Sequence, residues 1–137
     1  MAHTLTFSAL HEYDAGQSGI TVPVLLSIGS SQTKVTAKLD TGASCCIFRR
    51  GYGEALGMNV ESGTPQPVST ANSSFLTYGH EVTLAMLGFQ FEAMVYFAAD
   101  ESFTRDVLGR QGWLRQLKIG IVDYDGKLYI SKYDDSV

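Results

Sequence analysis

One acidic tripeptide, Asp40-Thr41-Gly42, carries the residue types from which a hydrolytic site can be built. It occurs once, directly after the apolar stretch 35–39, and the apolar residues 45–48 follow shortly after it. A carboxylate that leaves a buried strand and enters a glycine turn is held rigidly at a cleft, as a water-activating base requires. The tripeptide could also be an ordinary turn, because Asp bonds its own backbone two residues on and Gly accepts positive φ. The apolar flanks favour the catalytic interpretation.

Three segments resemble, in the same order along the chain, the retropepsin-type aspartic proteases, which are single-lobe relatives of the pepsins. Residues 24–39 are similar to the hairpin that leads into the catalytic loop of that family, and residues 40–44 match the loop itself. Residues 106–110 resemble the second signature of the family, an apolar pair and Gly-Arg before a short helix. The resemblance implies an aspartic endopeptidase that hydrolyses peptide or protein substrates and uses no cofactor.

The resemblance also gives each loop residue a role. Asp40 is the expected catalytic carboxylate, Thr41 bonds across the dimer axis of such enzymes, and Gly42 lets the backbone approach the carboxylate. Ala43 and Ser44 are expected to line the cleft and to contact the substrate.

The second signature is expected to support the site through Leu108, Gly109 and Arg110. Viral members often carry an aspartate at the position of Ser44, and the arginine of Gly-Arg pairs with it. This chain lacks that aspartate, so the resemblance leaves the partner of Arg110 open.

A single Asp-Thr-Gly implies a dimer. Hydrolysis without a metal or a covalent intermediate needs two carboxylates around one water, one acting as base and the other as acid. The chain is too short for two pepsin-like lobes, and the segment 123–126 has the wrong residue before its glycine. A symmetric homodimer would therefore bring Asp40 and its symmetry mate together, sharing one proton.

In the family a β-hairpin flap covers the substrate, and residues 68–78 are the best candidate here. Small polar residues form a tip between apolar arms, which is typical of a mobile flap. An ordinary exposed hairpin would have the same pattern, but the position relative to Asp40 favours a flap. The tip residues expected to contact substrate are Thr70, Ala71, Asn72 and Ser73.

Composition limits the possible functions. With 137 residues, 45% hydrophobic content and 18% charge, the chain suits one domain with a packed core. The net charge of −4 and the lack of long basic runs argue against nucleic acid as a partner. No apolar run reaches the length of a membrane helix, and the N-terminus lacks a signal-peptide pattern. These features predict a soluble, cytoplasmic protein with no membrane partner, although a fragment of a longer precursor would look the same.

The adjacent cysteines, Cys45 and Cys46, are expected to be reduced, because adjacent residues seldom meet disulfide geometry. Their side chains should point to opposite faces, so at least one should fill the core. A catalytic cysteine activated by His80 as a base is an alternative, but no feature of the local sequence supports it. His3, His11 and His80 show no ligand spacing, so no metal is expected.

The remaining pattern predicts strands separated by turns. We expect a single domain over residues 1–137, with its core at about residues 20–131, forming an all-β closed barrel of the acid-protease type with one or two short helices, active as a symmetric dimer. A short helix should lie between Arg49 and Gly57, residues 61–67 should form a loop, and Trp113, Leu114 and Leu117 should share a helical face. The predicted strands are 4–9, 20–28, 34–39, 68–87, 89–97, 119–122 and 127–130.

Two alternatives remain open at this stage. The same fold could serve as a dimerisation or peptide-binding module with weak or no catalysis, although the complete motif at residues 40–44 argues against that. The C-terminal hairpin could pair with its counterpart in a second subunit, with the N-terminal strand joining it, or could only close the monomer's own barrel.

Overall fold

The computed structural model describes residues 1–135, which form a mostly β structure with one α-helix. The helix, α1, comprises Arg50–Ala55. Short 3₁₀ turns lie at Val60–Ser62, Leu114–Gln116 and Asp123–Asp125. The strands are β1 (Ala9–Glu12), β2 (Thr21–Ile28), β3 (Ser31–Leu39), β4 (Ile47–Phe48), β5 (Thr64–Ser69), β6 (Ser74–Met86), β7 (Phe89–Ala98), β8 (Val107–Leu108), β9 (Leu117–Val122) and β10 (Lys127–Lys132).

The strands form two sheets. The larger sheet has the order β2-β3-β8-β4-β7-β6-β5, and β2 also pairs with β6. The smaller sheet has the order β1-β10-β9. Most neighbours are antiparallel, but β3 runs parallel to β8 and β4 runs parallel to β7. The two-residue strand β8 therefore lies between β3 and β4, next to the tripeptide that follows β3.

Alternation of apolar and polar residues explains why the strands form. In β2, Val22, Val24 and Leu26 are buried while the residues between them are more exposed, which is the period of two of a strand with one buried face. The core that these strands enclose contains Trp113, whose indole Nε1 donates to Met86 Sδ at 2.9 Å. The largest side chains in it also include Phe48, Phe97, Leu84 and Leu128.

Most of the predicted elements are confirmed. The strands predicted at 20–28, 34–39, 89–97, 119–122 and 127–130 correspond to β2, β3, β7, β9 and β10, and the predicted helix corresponds to α1. Glycines with positive φ follow α1 and separate the predicted strand pairs: Gly57 at 79°, Gly88 at 86° and Gly126 at 64°. The helix is short, and among residues 1–135 no helix is long and apolar enough to cross a membrane.

The predicted strand over residues 4–9 is wrong, because extended pairing begins only at Ala9, opposite Ile130 of β10. Alternation alone does not make a strand where no neighbouring strand supplies hydrogen bonds. Phe7 instead packs its ring against Tyr129, with 5.9 Å between centroids. The backbone nitrogen of Ser8 donates to Ser131 Oγ at 2.7 Å.

The predicted loop over residues 61–67 and the predicted helix after Gly109 are also corrected. Thr64 opens β5, and the two prolines of the loop sequence fit there because β5 is an edge strand that need not donate on its outer side. Around Trp113 there is only the 3₁₀ turn Leu114–Gln116, because Gly112 has a φ of 90° and interrupts any helix. The predicted docking face survives in part, since Trp113 and Leu117 are buried.

Candidate active site

Asp40 directly follows the last residue of β3, and a hydrogen bond to β8 holds its backbone in place. Leu39 pairs with Leu108 in the parallel ladder, and the Asp40 backbone nitrogen donates to the Leu108 carbonyl at 3.0 Å. Leu108 is buried, whereas Asp40 is only partly buried. The carboxylate therefore stands on a rigid backbone at the point where the core opens to the surface.

The turn after β3 orients the Asp40 carboxylate. The Gly42 backbone nitrogen donates to Asp40 Oδ1 at 3.0 Å, and the Ala43 nitrogen donates to the Asp40 carbonyl at 3.2 Å. A Cβ on Gly42 would lie 3.3 Å from Asp40 Oδ1, so a larger residue would crowd the carboxylate, although the φ of Gly42 is not positive. The hydrogen bonds that form this turn therefore also position the Asp40 carboxylate.

The second signature holds this loop from the other side. Arg110 and Gln111 donate their backbone N–H groups to the carbonyls of Ala43 and Ser44, both at 2.9 Å. A Cβ on Gly109 would lie 2.2 Å from the Cys45 carbonyl oxygen. Only glycine lets the two segments approach so closely.

Arg110 contributes through its backbone in this structure. Its side chain is exposed and makes no hydrogen bond or ion pair with any residue from 1 to 135. The predicted contribution of Leu108, Gly109 and Arg110 as supports thus has a backbone explanation, while a role for the guanidinium stays a prediction.

An ion pair that sequence reasoning missed lies beside the loop. Arg49 donates its backbone nitrogen to Asp106 Oδ1 at 3.0 Å, and its Nε lies 3.3 Å from Asp106 Oδ2. Burial raises the pKa of Asp106, while the backbone hydrogen bond and charge of Arg49 oppose that rise. The partners are 57 residues apart, so no local spacing could have indicated the pair.

Asp40 lines a cavity of about 410 Å³. The loop side of this cavity includes the predicted residues Gly42, Ala43 and Ser44, and the opposite side includes Thr70 of the predicted flap. Thr41 is exposed and does not line it. The other lining residues are Cys45, Ile47, Val68, Ser69, Phe75, Phe103, Arg105 and Val107.

The predicted flap is a hairpin built from β5 and β6, with its turn at residues 70–73. The turn is tied by the Thr70 nitrogen, which donates to the Ser73 carbonyl at 2.7 Å. Of the four predicted contact residues, Thr70 lines the cavity; Ala71, Asn72 and Ser73 are exposed and are not among its lining residues. Substrate contact by these residues remains a prediction.

An aromatic pair joins the hairpin to the cavity wall. Phe75 of β6 stacks on Phe103, with 4.8 Å between ring centroids and 29° between planes. Sequence reasoning missed Phe103 and Arg105, because both lie in the irregular segment between β7 and β8 that carries no motif. Their only sequence signal is that they come shortly before the second signature.

The two cysteines lie in different surroundings. Cys46 is buried with its Sγ 3.6 Å from the Gln111 carbonyl, and burial raises its pKa to about 12. Cys45 is partly exposed at the cavity, and burial also raises its pKa. His80 Nε2 lies 2.9 Å from the Val60 carbonyl. Raised thiol pKa values oppose a thiolate nucleophile. Within residues 1–135 no group of three or more His, Cys, Asp and Glu could hold a metal ion.

Comparison with known proteins gives the class of this fold and site. A family model described as aspartyl protease matches residues 22–121. A retropepsin-like aspartic protease from Rickettsia conorii is structurally similar, with a TM-score of 0.67 and 16% identity over 90% of this chain and 97% of that chain. The EIAV protease complexed with the inhibitor HBY-793 is similar with a TM-score of 0.54 and 19% identity over 69% of this chain and 85% of that chain. No curated protein sequence gives a significant match.

The fold is therefore retropepsin-like, which is what structural likeness at these identities shows. The family match covers most of the chain, so the chain belongs to the aspartyl protease family. This membership supports aspartic protease activity in general terms.

Proposed function

We propose that the protein is an aspartic endopeptidase in which one water is activated between two Asp40 carboxylates, one from each subunit of a homodimer. The observation that carries this proposal is the position of Asp40: its carboxylate is fixed by the Gly42 N–H at the edge of a cavity whose far side is the β5–β6 hairpin. One chain supplies one such carboxylate, and the chemistry requires two.

The proposed reaction needs no other reagent. The ionised Asp40 takes a proton from the water as the water oxygen attacks the carbonyl carbon of the peptide bond. The protonated Asp40 of the second subunit gives its proton to the carbonyl oxygen. When the C–N bond breaks, the nitrogen takes the proton from one carboxyl group of the pair and leaves as an amine. A hydroxyl of the tetrahedral intermediate returns its proton to the other carboxylate as the carbonyl re-forms, so the pair again holds one proton.

The neighbours of Asp40 have roles that fit their positions. Thr41 is exposed beside the carboxylate, where its hydroxyl can bond to the other subunit. Ala43 and Ser44 line the cavity and would contact the peptide backbone or side chains. The β5–β6 hairpin would act as the flap that excludes water once substrate has bound.

The fold offers a surface for the proposed dimer. We take the β2–β6 pairing as the contact that closes six strands of the larger sheet into a barrel, with β5 outside the ring. The β1-β10-β9 sheet lies outside this barrel and is available for the dimer interface. Within the described chain, both of its outer strands are unpaired on one side. Leu10 and Val122 are 45% and 43% exposed on that sheet, as an apolar interface would require.

The test is cleavage of a mixed peptide library at mildly acidic pH, with and without pepstatin, by wild-type protein and by Asp40→Asn. We expect pepstatin-sensitive cleavage that Asp40→Asn abolishes while the fold is retained, because the amide keeps the shape and removes the proton chemistry. Asp14→Asn is the matched control, because Asp14 Oδ1 accepts the Gly16 N–H at 2.9 Å in the same kind of turn. Retained activity in purified Asp40→Asn protein would refute the mechanism.

The same experiment separates the alternatives. A catalytically inactive peptide-binding module would bind library peptides without cleaving them. A cysteine hydrolase would be inhibited by iodoacetamide and not by pepstatin.

A further inference from the structure

Arg105 is a cation that lines the same cavity as Asp40. It lies between β7 and β8 and lines both the Asp40 cavity and a neighbouring hollow of about 390 Å³ that Asp40 also borders. The residue is exposed, and its side chain makes no hydrogen bond or ion pair within residues 1–135. Nothing in the described fold requires a charge at this position.

The two other cations that line these hollows, Lys38 and Arg49, have partners. Lys38 Nζ donates to Ser18 Oγ at 3.1 Å, and Arg49 pairs with Asp106. Among the residues that line the 410 Å³ cavity, only Asp40 and Arg105 carry a charge. Arg105 is therefore the group in that cavity to which an anionic side chain could bind.

Several of the other residues that line the cavity are apolar. Phe103, two positions earlier, stacks on Phe75 of the hairpin, and Val107, two positions later, also lines the cavity. Apolar walls limit the water around a bound side chain, and this strengthens a guanidinium–carboxylate contact relative to one on an open surface. The combination is suited to an extended peptide that has an acidic residue close to apolar residues.

We propose that Arg105 determines specificity by binding an Asp or Glu side chain that lies within two residues of the scissile bond. This inference rests on the proposed peptidase function and adds the class of substrate to it. In a symmetric dimer Arg105 occurs once on each side of the two-fold axis, so acidic residues on either side of the bond are favoured. Because the residue is exposed, we expect a preference of about two- to fivefold over a neutral side chain.

The test uses pairs of cleavable peptides that differ only by Glu or Gln at each of the four positions around the bond. Wild-type protein should cleave the best Glu peptide with kcat/KM about two- to fivefold above that of its Gln partner. Arg105→Met should remove this preference, so that kcat/KM becomes equal for the Glu peptide and its Gln partner. Arg105→Glu should reverse the preference in favour of Lys at the same position. Equal kcat/KM for Glu and Gln peptides at all four positions in wild-type protein would overturn the proposal.

Arg115→Met is the matched control, because Arg115 is also exposed and lies outside both hollows. It should retain the wild-type preference for Glu. If it loses the preference as Arg105→Met does, the effect comes from overall charge and the proposal is wrong.

A binding measurement separates this inference from the peptidase mechanism. Asp40→Asn protein should bind the Glu peptide more tightly than the Gln peptide, and adding Arg105→Met should equalise the two dissociation constants. If no peptide is cleaved by wild-type protein but this difference in binding persists, the peptidase proposal fails and the role of Arg105 stands. If peptides are cleaved without the difference in binding, the role of Arg105 fails and the peptidase proposal stands.

Discussion

At the scale of single residues, backbone contacts fix the geometry around Asp40. Its own carboxylate accepts from Gly42, and the loop that follows it is bonded to residues 110 and 111. Hydrogen bonds from main-chain groups hold atoms with less freedom than contacts between long side chains, whose ordering costs more conformational entropy. The two glycines of the site, Gly42 and Gly109, are therefore as important for its geometry as the acidic residue.

Gly109→Ala should damage the site. The new Cβ would lie 2.2 Å from the Cys45 carbonyl oxygen, so the main chain of one segment must move. We expect a loss of about 1–3 kcal/mol in the free energy of unfolding and a fall in peptidase activity of at least about tenfold. Denaturant unfolding and kcat/KM on one fixed peptide measure the two effects.

Gly51→Ala is the control for that substitution. A Cβ at Gly51 meets nothing within 4 Å, and the residue lies in α1 without a positive φ. Alanine should be neutral there or should stabilise by roughly 0.5–1 kcal/mol. Equal behaviour of the two alanine variants would mean that the close approach at Gly109 has no energetic significance.

The rate should depend on pH in the manner of a proton-sharing pair. Two carboxylates about 3 Å apart do not ionise together, and the reaction needs the form that holds one proton. Activity should peak below neutrality and fall as the second proton leaves. Measuring kcat/KM from acid to alkaline pH tests this, and a flat profile would contradict a paired Asp40.

At the scale of elements, two hydrogen bonds from Tyr13 link the segment after β1 to the turn between β9 and β10. Tyr13 Oη donates to Asp123 Oδ1 at 2.5 Å, and the Tyr13 nitrogen donates to the Gly126 carbonyl at 2.9 Å. The hydrogen bond to Asp123, followed by burial and the charge of Asp123, raises the pKa of Tyr13 to about 12. The folded protein therefore holds the phenol proton more tightly than the unfolded chain does.

Tyr13→Phe should change how stability depends on alkaline pH. The contribution of this bond is fully present below about pH 10, the ordinary pKa of tyrosine, and is lost as pH rises toward about 12. Removing the hydroxyl should lower stability at pH 8 and reduce the further loss above pH 10. Denaturant unfolding at a series of pH values gives both quantities. Tyr124→Phe is the control in the same turn, because Tyr124 is 97% exposed. A change of slope of the same size in that control would rule out the assigned bond as the cause.

Most of the elements could be predicted because their signals are local. Strands of the larger sheet alternate along their length, and Gly57, Gly88 and Gly126 mark turns by their own conformations. The elements that were wrong depend on partners distant in sequence. The backbone of residues 4–8 does not pair with β10, whereas residues 64–67 become extended because β6 pairs with them. No single stretch of sequence contains that information.

The same distinction applies to the site. Asp40 and Gly109 could be predicted because they belong to short motifs. Phe103, Arg105 and the Arg49–Asp106 pair could not, because each matters only through what the fold brings beside it. Side chains in irregular segments acquire their roles from tertiary position.

At the scale of the whole molecule, the proposed dimer determines how activity depends on concentration. Each subunit contributes one Asp40, so dilution below the dimer dissociation constant should lower specific activity.

Deleting residues 127–137 is a poor test of the interface, because it removes β10, which pairs with both β1 and β9 and contributes the fully buried Leu128 and Ile130.

Surface substitutions test the interface more sharply. Leu10 pairs with Tyr129 of β10, and Val122 pairs with Lys127 of β10. Because Lys127 and Tyr129 are two residues apart in one strand, Leu10 and Val122 lie on the same face of the sheet. Leu10→Lys with Val122→Lys should favour the monomer, and high protein concentration should restore activity. Ile28→Lys is the control, because Ile28 is 37% exposed at the turn between β2 and β3. A double variant that light scattering finds fully dimeric would place the interface elsewhere.

The small strand β8 also has a consequence for how the protein reaches its native state. β8 can pair with β3 and β4 only after the long segment that separates β8 from them in the sequence has folded back. The β6–β7 hairpin, in contrast, can form from residues that are close in the sequence. Closing a long loop costs entropy before its contacts repay the cost, so distant pairings form slowly. During refolding the carboxylate loop should acquire its geometry late, after the hairpins exist. Trp113, the single tryptophan of the chain, lies just beyond β8 in the core, so its fluorescence should follow that late step.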